Sequence, residues 1–503
     1  MNPGFSHLRG AQGASEKQAG AARKFRRTTL ITVGCLAALA GLGLSRKVSL
    51  ELSGLYFLLF TFCLLLLKPK NLASLLLVIF FGLSLGLWRG TAYMSHVRDI
   101  QALAGQRVIL QVDAKTDSVY GNGSQLEFTA SNVTLVETAN ATRIILGADK
   151  ELAGSFRVSG FGVPMVYRGD RLEIKGKLYP SRGSNQARIS YAQLQKINSD
   201  SSWLNSLTRR FATGMYNALP EPQASLGLGI LIGQRSNLPD YTLLAMSVVG
   251  LTHIIAVSGY NLTILVRGVS RVKWIFGSKF QRLVISLALI GTFILITGFS
   301  ASIVRAALIA GLGLLAWYYG RQLRAVLALS LVAAVTGLFN PFYVWGDIGW
   351  YLSFLAFFGV LIMAPLVTKL LFKKREPRGM TLILFETLAA YVMTLPLIMF
   401  IFGKLSVVAL AANLLVVPLV PFAMLFSTVA GIAGMINPVF SAWLAVPAKL
   451  LLTYILDVAY WLSDLSFSQV LIGLTTTQMI ILYGLLGGFV AVLATRRHRS
   501  KTP

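Results

Sequence analysis

Residues 348–371 read IGWYLSFLAFFGVLIMAPLVTKLL, an apolar run whose one charged side chain, Lys369, lies near its end. A helix needs about 20 apolar residues to cross the hydrocarbon core of a bilayer, so this run is long enough to span. Similar runs recur along most of the 503-residue chain. Hydrophobic residues make up 55% of the chain and charged residues only 13%, which excludes a soluble enzyme, a coiled coil and a disordered chain.

The apolar runs fall into two groups that flank a more polar stretch. Three lie within 28–98 and nine within 237–495, which predicts a polytopic α-helical membrane protein with about 12 transmembrane helices. Pro418 and Pro421 predict a break in one long run. The expected spans are 28–45, 50–67, 71–88, 241–266, 283–299, 301–319, 325–339, 348–371, 380–402, 404–436, 438–465 and 470–494.

Basic residues predict the orientation of these helices. The 46 Lys and Arg residues outnumber the 19 Asp and Glu residues, which gives a net charge of +27. The tail 1–27 and the tail 496–503 are basic, and counting the crossings places both on the same side as the basic loops between the later spans. Basic loops stay in the cytoplasm, so we expect a multi-pass protein of the cytoplasmic membrane whose two termini lie in the cytoplasm. Because topology explains most of the charge, net charge alone does not establish a nucleic-acid partner.

Residues 99–200 differ from the rest of the chain because their apolar side chains alternate with polar ones. Gln106–Asp113, Gln125–Ala130 and Asp170–Lys175 each follow a period of two, and glycine-containing turns separate them. The period predicts strands, and about five or six short strands suit a small β-barrel of the OB type. Three crossings after a cytoplasmic N-terminus place this insert outside the cytoplasm.

Residues 201–236 connect the β region to the second group of spans. A helix predicted at 203–219 has an amphipathic pattern that favours a position at the outer membrane interface. The apolar piece 224–233 is too short to span and is expected to be re-entrant. The apolar face of the helix is formed by Trp203, Leu207, Phe211 and Met215.

A basic run in the β region predicts a surface for single-stranded nucleic acid. Cations can contact phosphates while aromatic rings stack on bases, which is how OB domains bind single strands. The alternative is a solvated face, because Asp170 and Glu173 lie in the same run. The basic residues are Arg168, Arg171, Lys175, Lys177, Arg182 and Arg188, and the nearby tyrosines are Tyr167, Tyr179 and Tyr191.

Polar residues in or beside the apolar runs form a second candidate site, because such residues are costly in a bilayer. They are expected to meet near the outer side of the helices and to line a path for a polar substrate. The alternative is structural: a buried His or Asn can satisfy neighbouring helices, and Arg305 can pair with Asp347. The candidates are Arg235, His253, Ser258, Asn261, Arg305 and Asp347.

The sequence predicts no metal site, no cofactor and no enzymatic activity. Its four histidines are far apart, and its two cysteines, Cys35 and Cys63, lie inside apolar runs. It contains neither a Walker A loop nor a nucleophile elbow. Energy for transport is therefore expected from a partner or a gradient.

The second group of spans contains a series of distinctive short motifs. They are Gly229–Ser236, Leu251–Gly259, Thr297–Ala307, Asn340-Pro341, Asp347–Ala356 and Leu395-Pro396, with Asn413 and Pro418 downstream. In order and spacing across about residues 225–425 they resemble the competence core of the ComEC family of DNA-uptake proteins. The N-terminal helices and the OB-like insert also lie where the family has them.

The resemblance implies a channel for single-stranded DNA across the cytoplasmic membrane during natural transformation. It also implies an extracytoplasmic DNA receptor and a cytoplasmic helicase-like ATPase as partners. Tyr260 and Asn261 stand where many members have Leu-His, so no role of that histidine carries over. Many members continue into a metallo-β-lactamase-like domain. We expect this chain to lack that domain and a separate nuclease to degrade the other strand.

Two other functions fit the same features. A secondary transporter for an anionic small molecule would bind its substrate at the broken run around Pro418, although such carriers rarely need an external β domain. A membrane scaffold would dock other proteins through the β domain, and its buried polar residues would then be structural.

Overall fold

The structure is a computed structural model. It describes residues 25–48, 56, 72–121, 125–138, 150–181, 185–199, 202–234, 238–255, 259, 262, 278–372 and 379–499, with side chains to residue 495. Apart from Tyr56, the predicted span 50–67 lies outside the described residues. So do four of the candidate site residues, Arg182, Arg235, Ser258 and Asn261.

Within these residues the chain is mostly helical, and it is a polytopic membrane protein that also carries a β-sheet region. By length and composition 8 of the described helices can cross a membrane, or up to 9 if one bent pair is a single span. The prediction of about 12 spans stays a prediction. The eight helices are Arg27–Leu44, Leu72–Ala102, Lys279–Thr297, Ala301–Tyr318, Ile348–Phe372, Met380–Phe402, Ala409–Ile436 and Thr476–Thr495.

The chain divides into two compact units, of which the first comprises Met1–Met94 and Ser330–Trp345. In this unit α1 (Arg27–Leu44) packs closely on the first part of α2 (Leu72–Ala102). Gly86 allows this approach, because a Cβ at that position would collide with the carbonyl group of Ala38. The Nε of Arg89 donates to the Leu338 carbonyl at 2.8 Å. These contacts hold the first helices and the segment 330–345 together.

The second unit contains the β domain. Its strands are β1 (Arg107–Ala114), β2 (Val119–Tyr120), β3 (Leu126–Thr138), β4 (Lys150–Leu152), β5 (Phe156–Phe161), β6 (Arg171–Pro180) and β7 (Ala187–Asn198). They pair in the order β1-β6-β7-β5-β3, and β1 also pairs with β3, so the pairings return to the first strand. The β5–β7 pair is parallel, and the other pairs of this ring are antiparallel.

Alternation builds the core of the β domain, as the period of two predicts. Along β1 the side chains of Val108, Leu110 and Val112 are buried, and the residues between them are partly exposed. Ile100 and Leu103, at the end of α2, join the same buried cluster. The helix therefore runs without a break past the predicted boundary at residue 99 and closes one end of the β domain.

The other helices of the second unit form what we call the helical core. Two short strands, β8 (Lys404–Ser406) and β9 (Gln469–Leu471), pair with each other. The helices in chain order after α2 are α3 (Trp203–Ala218), α4 (Gln223–Ile232), α5 (Asp240–Val248), α6 (Thr252–Ile255), α7 (Lys279–Thr297), α8 (Ala301–Tyr318), α9 (Ala325–Phe339), α10 (Phe342–Gly346), α11 (Ile348–Phe358), α12 (Ala364–Phe372), α13 (Met380–Phe402), α14 (Ala409–Val416), α15 (Val420–Ile436), α16 (Pro438–Leu444), α17 (Val446–Ser463) and α18 (Thr476–Arg499). Of these, α9 and α10 lie mostly in the first unit and are not part of the helical core.

Three of the predicted spans are interrupted. The run 241–266 breaks between α5 and α6, where Gly250 has a φ of +72°. The run 404–436 changes to a 3-10 turn at Val417–Leu419, around the proline predicted to interrupt it. The run 438–465 bends by 60° between α16 and α17.

The predicted amphipathic helix α3 packs along α15. Gly214 on α3 and Gly434 on α15 allow this approach, because a Cβ on either residue would collide with backbone of the other helix. Met215 is fully buried there, whereas Trp203, at the opposite end of the predicted apolar face, is 75% exposed. The second half of α3 is therefore part of the helical core, and its first half borders the β domain.

Candidate nucleic-acid interface

One outer face of the β domain collects three of the six predicted basic residues. The strand register places Arg107 opposite Lys177, and Arg188 opposite Tyr179. Lys175 lies two residues before Lys177 and so points to the same side of β6. We call this surface the tyrosine face; it is formed by Arg107, Lys175, Lys177, Arg188, Tyr179 and Tyr191.

The tyrosine face surrounds a groove of about 980 Å³. Tyr179 is 40% exposed and Tyr191 is 77% exposed, so both rings are open to a ligand. The guanidinium of Arg188 lies 6.0 Å from the centre of the Tyr179 ring. Tyr191 has a φ of +54°, a conformation that is uncommon and strained for a bulky residue and is often found at functional sites.

Two other predicted basic residues have different surroundings. Arg171 lies on β6, where its Nη2 is 3.4 Å from Gln111 Oε1. Arg168 lies in the loop before β6, and its guanidinium donates to the carbonyls of Leu295 and Ile296, both at 2.9 Å. These two carbonyls are at the end of α7, so Arg168 fastens the β domain to the helical core.

A buried carboxylate lies two residues after Arg168. Asp170 is fully buried, and its side chain accepts from the backbone N–H of Tyr167 at 2.8 Å. The same carboxylate lies 2.8 Å from Lys196 Nζ and 3.5 Å from Arg209 Nη2. The Arg209 guanidinium stands over the Tyr167 ring at 4.7 Å, so this predicted tyrosine stacks on an arginine of α3.

A second concave surface, which we call the cleft, lies between the β domain and the helical core. Its volume is about 870 Å³. The loop after β1 and the strands β3 and β5 form one wall, and one side of α3 with the ends of α4 and α7 forms the other. The polar residues that line it are Lys115, Thr116, Asp117, Glu127, Thr129, Arg157, Tyr167, Arg168, Asn185, Asn205, Thr208, Arg209, Thr213, Tyr216, Gln234 and Thr297.

The cleft contains cations that the sequence prediction did not include. Lys115, Arg157 and Arg209 come from three distant parts of the chain, so no local run of basic residues marks them. The only local signal was the alternation in Gln125–Ala130, which directs Glu127 and Thr129 away from the core of the β domain.

Two of the predicted membrane residues meet at the start of α11. Arg305 on α8 is 2% exposed, and its Nη2 donates to the Gly349 carbonyl at 3.1 Å. Asp347 is 6% exposed and caps α11 by accepting from the Trp350 N–H at 3.1 Å. The ion pairs found among the described residues do not join Arg305 to Asp347; each side chain instead bonds a backbone group in the first turn of α11.

His253 lies elsewhere, on the short helix α6. Its side chain is exposed, and its Nδ1 is 3.0 Å from the Gly250 carbonyl at the break before that helix. Within the described residues, no group of three or more His, Cys, Asp or Glu side chains could hold a metal ion. The expected lack of catalysis stays a prediction.

Comparisons with known proteins identify relatives of part of the chain. Residues 230–497 match a family model described as Competence protein. The chain is also 26% identical over 228 residues to ComE operon protein 3 of Bacillus subtilis (strain 168). That alignment covers 45% of this chain and 28% of the relative. No solved structure shows significant similarity to the chain.

Proposed function

The chain belongs to the Competence protein family, as the ComEC-like motifs indicated, and on that premise we propose that it is a channel for single-stranded DNA. The family supports a role in competence and DNA uptake. The finer proposal is that one DNA strand crosses the cytoplasmic membrane through the helical core during natural transformation.

The tyrosine face is the observation that carries the proposal. It combines exposed tyrosine rings with Lys175, Lys177 and Arg188 around one groove, and single-stranded DNA offers phosphates and unpaired bases to such a surface. The ring of pairings through β1, β3, β5, β7 and β6 contains one parallel pair, which supports an OB-type barrel for this domain.

The helical core supports the proposal in a second way. Buried arginines are costly in a bilayer and mark paths for polar substrates. Arg305 and Asp347 hold the turn at the start of α11, and in this proposal that turn borders the channel mouth. Arg235, His253, Ser258 and Asn261 remain proposed lining residues.

The setting of the channel is part of the proposal. Both termini would lie in the cytoplasm, and the β domain would face the outside, where a DNA receptor delivers the substrate. A cytoplasmic helicase-like ATPase would pull the strand, since the sequence offers no nucleotide site of its own. A separate nuclease would remove the other strand.

DNA uptake in the host tests the function. Cells that lack the gene should take up no labelled DNA into a nuclease-protected form, and a plasmid copy should restore uptake. When two DNA substrates are supplied separately, each labelled on a different strand, the label of only one of them should enter. Normal uptake in the deletion strain would reject the channel and favour the transporter or scaffold alternatives.

Labelling of single cysteines tests the orientation. Glu151→Cys places a thiol at an exposed position of the β domain. In a background that carries Cys35→Ser and Cys63→Ser, a membrane-impermeant thiol reagent should label this variant in cells whose outer envelope has been permeabilised. Labelling that appears only after the cytoplasmic membrane is lysed would place the β domain inside.

A further inference from the structure

We propose that the cleft is a second nucleic-acid site, which binds the sugar-phosphate backbone of the strand between the β domain and the helical core. This inference rests on the proposed function and names the surface from which the strand enters the membrane. The tyrosine face would then capture the strand, and the cleft would direct it.

The lining of the cleft suits a phosphate backbone. Hydroxyl and amide side chains stand on both walls: Thr116 and Thr129 on the β domain, and Thr208 and Thr213 on α3. Together with Lys and Arg, such groups make most contacts to phosphates and sugars, which carry no base information.

The charges in the cleft are not all neutralised. Arg157 Nη2 lies 2.6 Å from Glu127 Oε2, so these two charges form an ion pair. Lys115 Nζ lies 3.4 Å from the neutral Ser155 Oγ. Among the described residues, no carboxylate lies within ion-pair distance of Lys115.

Because the ammonium group of Lys115 is partly desolvated, a nearby anion would stabilise it more than it would stabilise an exposed lysine. The side chain is largely enclosed, and loss of hydration lowers the pKa of its ammonium group. A phosphate in the cleft would restore a favourable environment for the charged form. Lys115 is therefore the cation that we expect to contact a phosphate of the bound strand.

The place of the cleft on the β domain is consistent with this role. In OB domains, oligonucleotides lie on the second and third strands and on the loops after the first and fourth strands. In the ring of pairings these strands are β3 and β5, which supply Thr129 and Arg157. The two loops supply Lys115 and Asn185. The tyrosine face lies mainly on the other strands, β1, β6 and β7, and its groove shares no lining residue with the cleft.

Helix ends complete the cleft and connect it to the core. Arg209 and Thr213 come from α3, Gln234 follows the end of α4, and Thr297 ends α7. A ligand in the cleft therefore touches the β domain and three elements of the helical core at once. A strand held on the tyrosine face alone would reach none of these helices.

Photo-crosslinking in the full-length protein tests the inference. A photoreactive amino acid at Thr213, an exposed residue of the cleft wall, should crosslink to labelled DNA during uptake by complemented cells. The crosslink should weaken about tenfold when Lys115→Gln is added, because a charge-assisted contact is lost. Lys115→Arg should preserve it. Lys279→Gln, at an exposed lysine at the start of α7, is the matched control and should have no effect.

The outcomes separate the two proposals. If the wild-type copy restores uptake but Thr213 crosslinks to phospholipid or to nothing, the cleft is not on the DNA path, although the channel stands. The same conclusion follows if Lys115→Gln protein of normal abundance crosslinks and transports as the wild type does. If the deletion does not impair uptake, the channel proposal itself fails.

Discussion

The tyrosine face and the cleft lie on the same β domain and carry charge of the same sign, but they are built differently. On the tyrosine face, neighbouring strands place lysines and arginines in open solvent beside exposed rings. In the cleft, the cations come from the loop after β1, from β5, from the loop before β6 and from α3, and two of them already contact carboxylates. The open tyrosine face favours capture of a flexible strand, whereas the cleft favours a strand held in a fixed orientation.

A contiguous basic run in the sequence does not by itself define one site. Arg168 and Lys177 belong to the same run of sequence, yet Arg168 fastens the β domain to α7 while Lys177 lies on the tyrosine face. Asp170, between them, holds Arg209 of the cleft. The following substitutions test this division of roles.

The largest effect is expected at Asp170, whose buried carboxylate binds Lys196 and also Arg209 of the cleft wall. Asp170→Ala leaves Lys196 and Arg209 without their buried partner and should cost about 3–5 kcal/mol of stability. Purified protein in detergent should unfold at lower temperature and expose the β domain to protease. Glu173→Ala, which removes a partly exposed ion pair with Lys175, is the control and should change stability little.

Removal of the exposed ring of Tyr191 should weaken capture of DNA. Tyr191→Ala should lower the affinity of purified protein for a single-stranded oligonucleotide by roughly 5- to 150-fold, because one stacked base contributes about 1–3 kcal/mol. Fluorescence anisotropy at constant salt measures this change. Tyr191→Phe keeps the ring and should bind normally. Equal losses in both variants would mean that the phenolic hydroxyl, not stacking, matters.

A smaller effect of a different kind is expected at Arg168. Arg168→Ala removes the donors to Leu295 and Ile296, which should cost about 1–2 kcal/mol where these bonds are partly solvated. The loop around residue 168 should become more sensitive to limited proteolysis, while affinity for the oligonucleotide should fall less than it does in Tyr191→Ala. A loss of affinity as large as that of Tyr191→Ala, without a change in proteolysis, would make Arg168 a direct DNA contact instead of a link to α7.

The smallest effect is expected at a single cation of the tyrosine face. Lys177→Gln should reduce affinity several-fold at low salt and flatten the plot of log affinity against log salt by about 0.7, the value for one phosphate contact on a single strand. Lys177→Arg should keep the wild-type slope. An unchanged slope for Lys177→Gln would exclude this lysine from phosphate contact.

Much of the architecture follows from local patterns. Apolar runs such as 348–371 predict spans because the bilayer demands about 20 apolar residues wherever they occur. The alternation of Val108, Leu110 and Val112 predicts a buried strand face because successive side chains of a strand point to opposite sides. The ComEC-like motifs identified the family, and the match over residues 230–497 confirms it.

Other features had no local signature. The continuation of α2 into the β domain depends on Ile100 and Leu103, whose burial is visible only when the strands are closed around them. The approach of α3 to α15 requires Gly214 to face Gly434, which are far apart in sequence.

The sequence by itself therefore determined that this is a membrane protein with a β insert, because hydropathy and periodicity are properties of neighbouring residues. It also located one basic surface, since the tyrosine face is built mainly from two adjacent strands. The cleft, the fastening of Arg168 to α7 and the roles of Arg305 and Asp347 depend on the tertiary structure. Each joins side chains to partners on other elements, and only the packed fold brings such groups within a few ångströms.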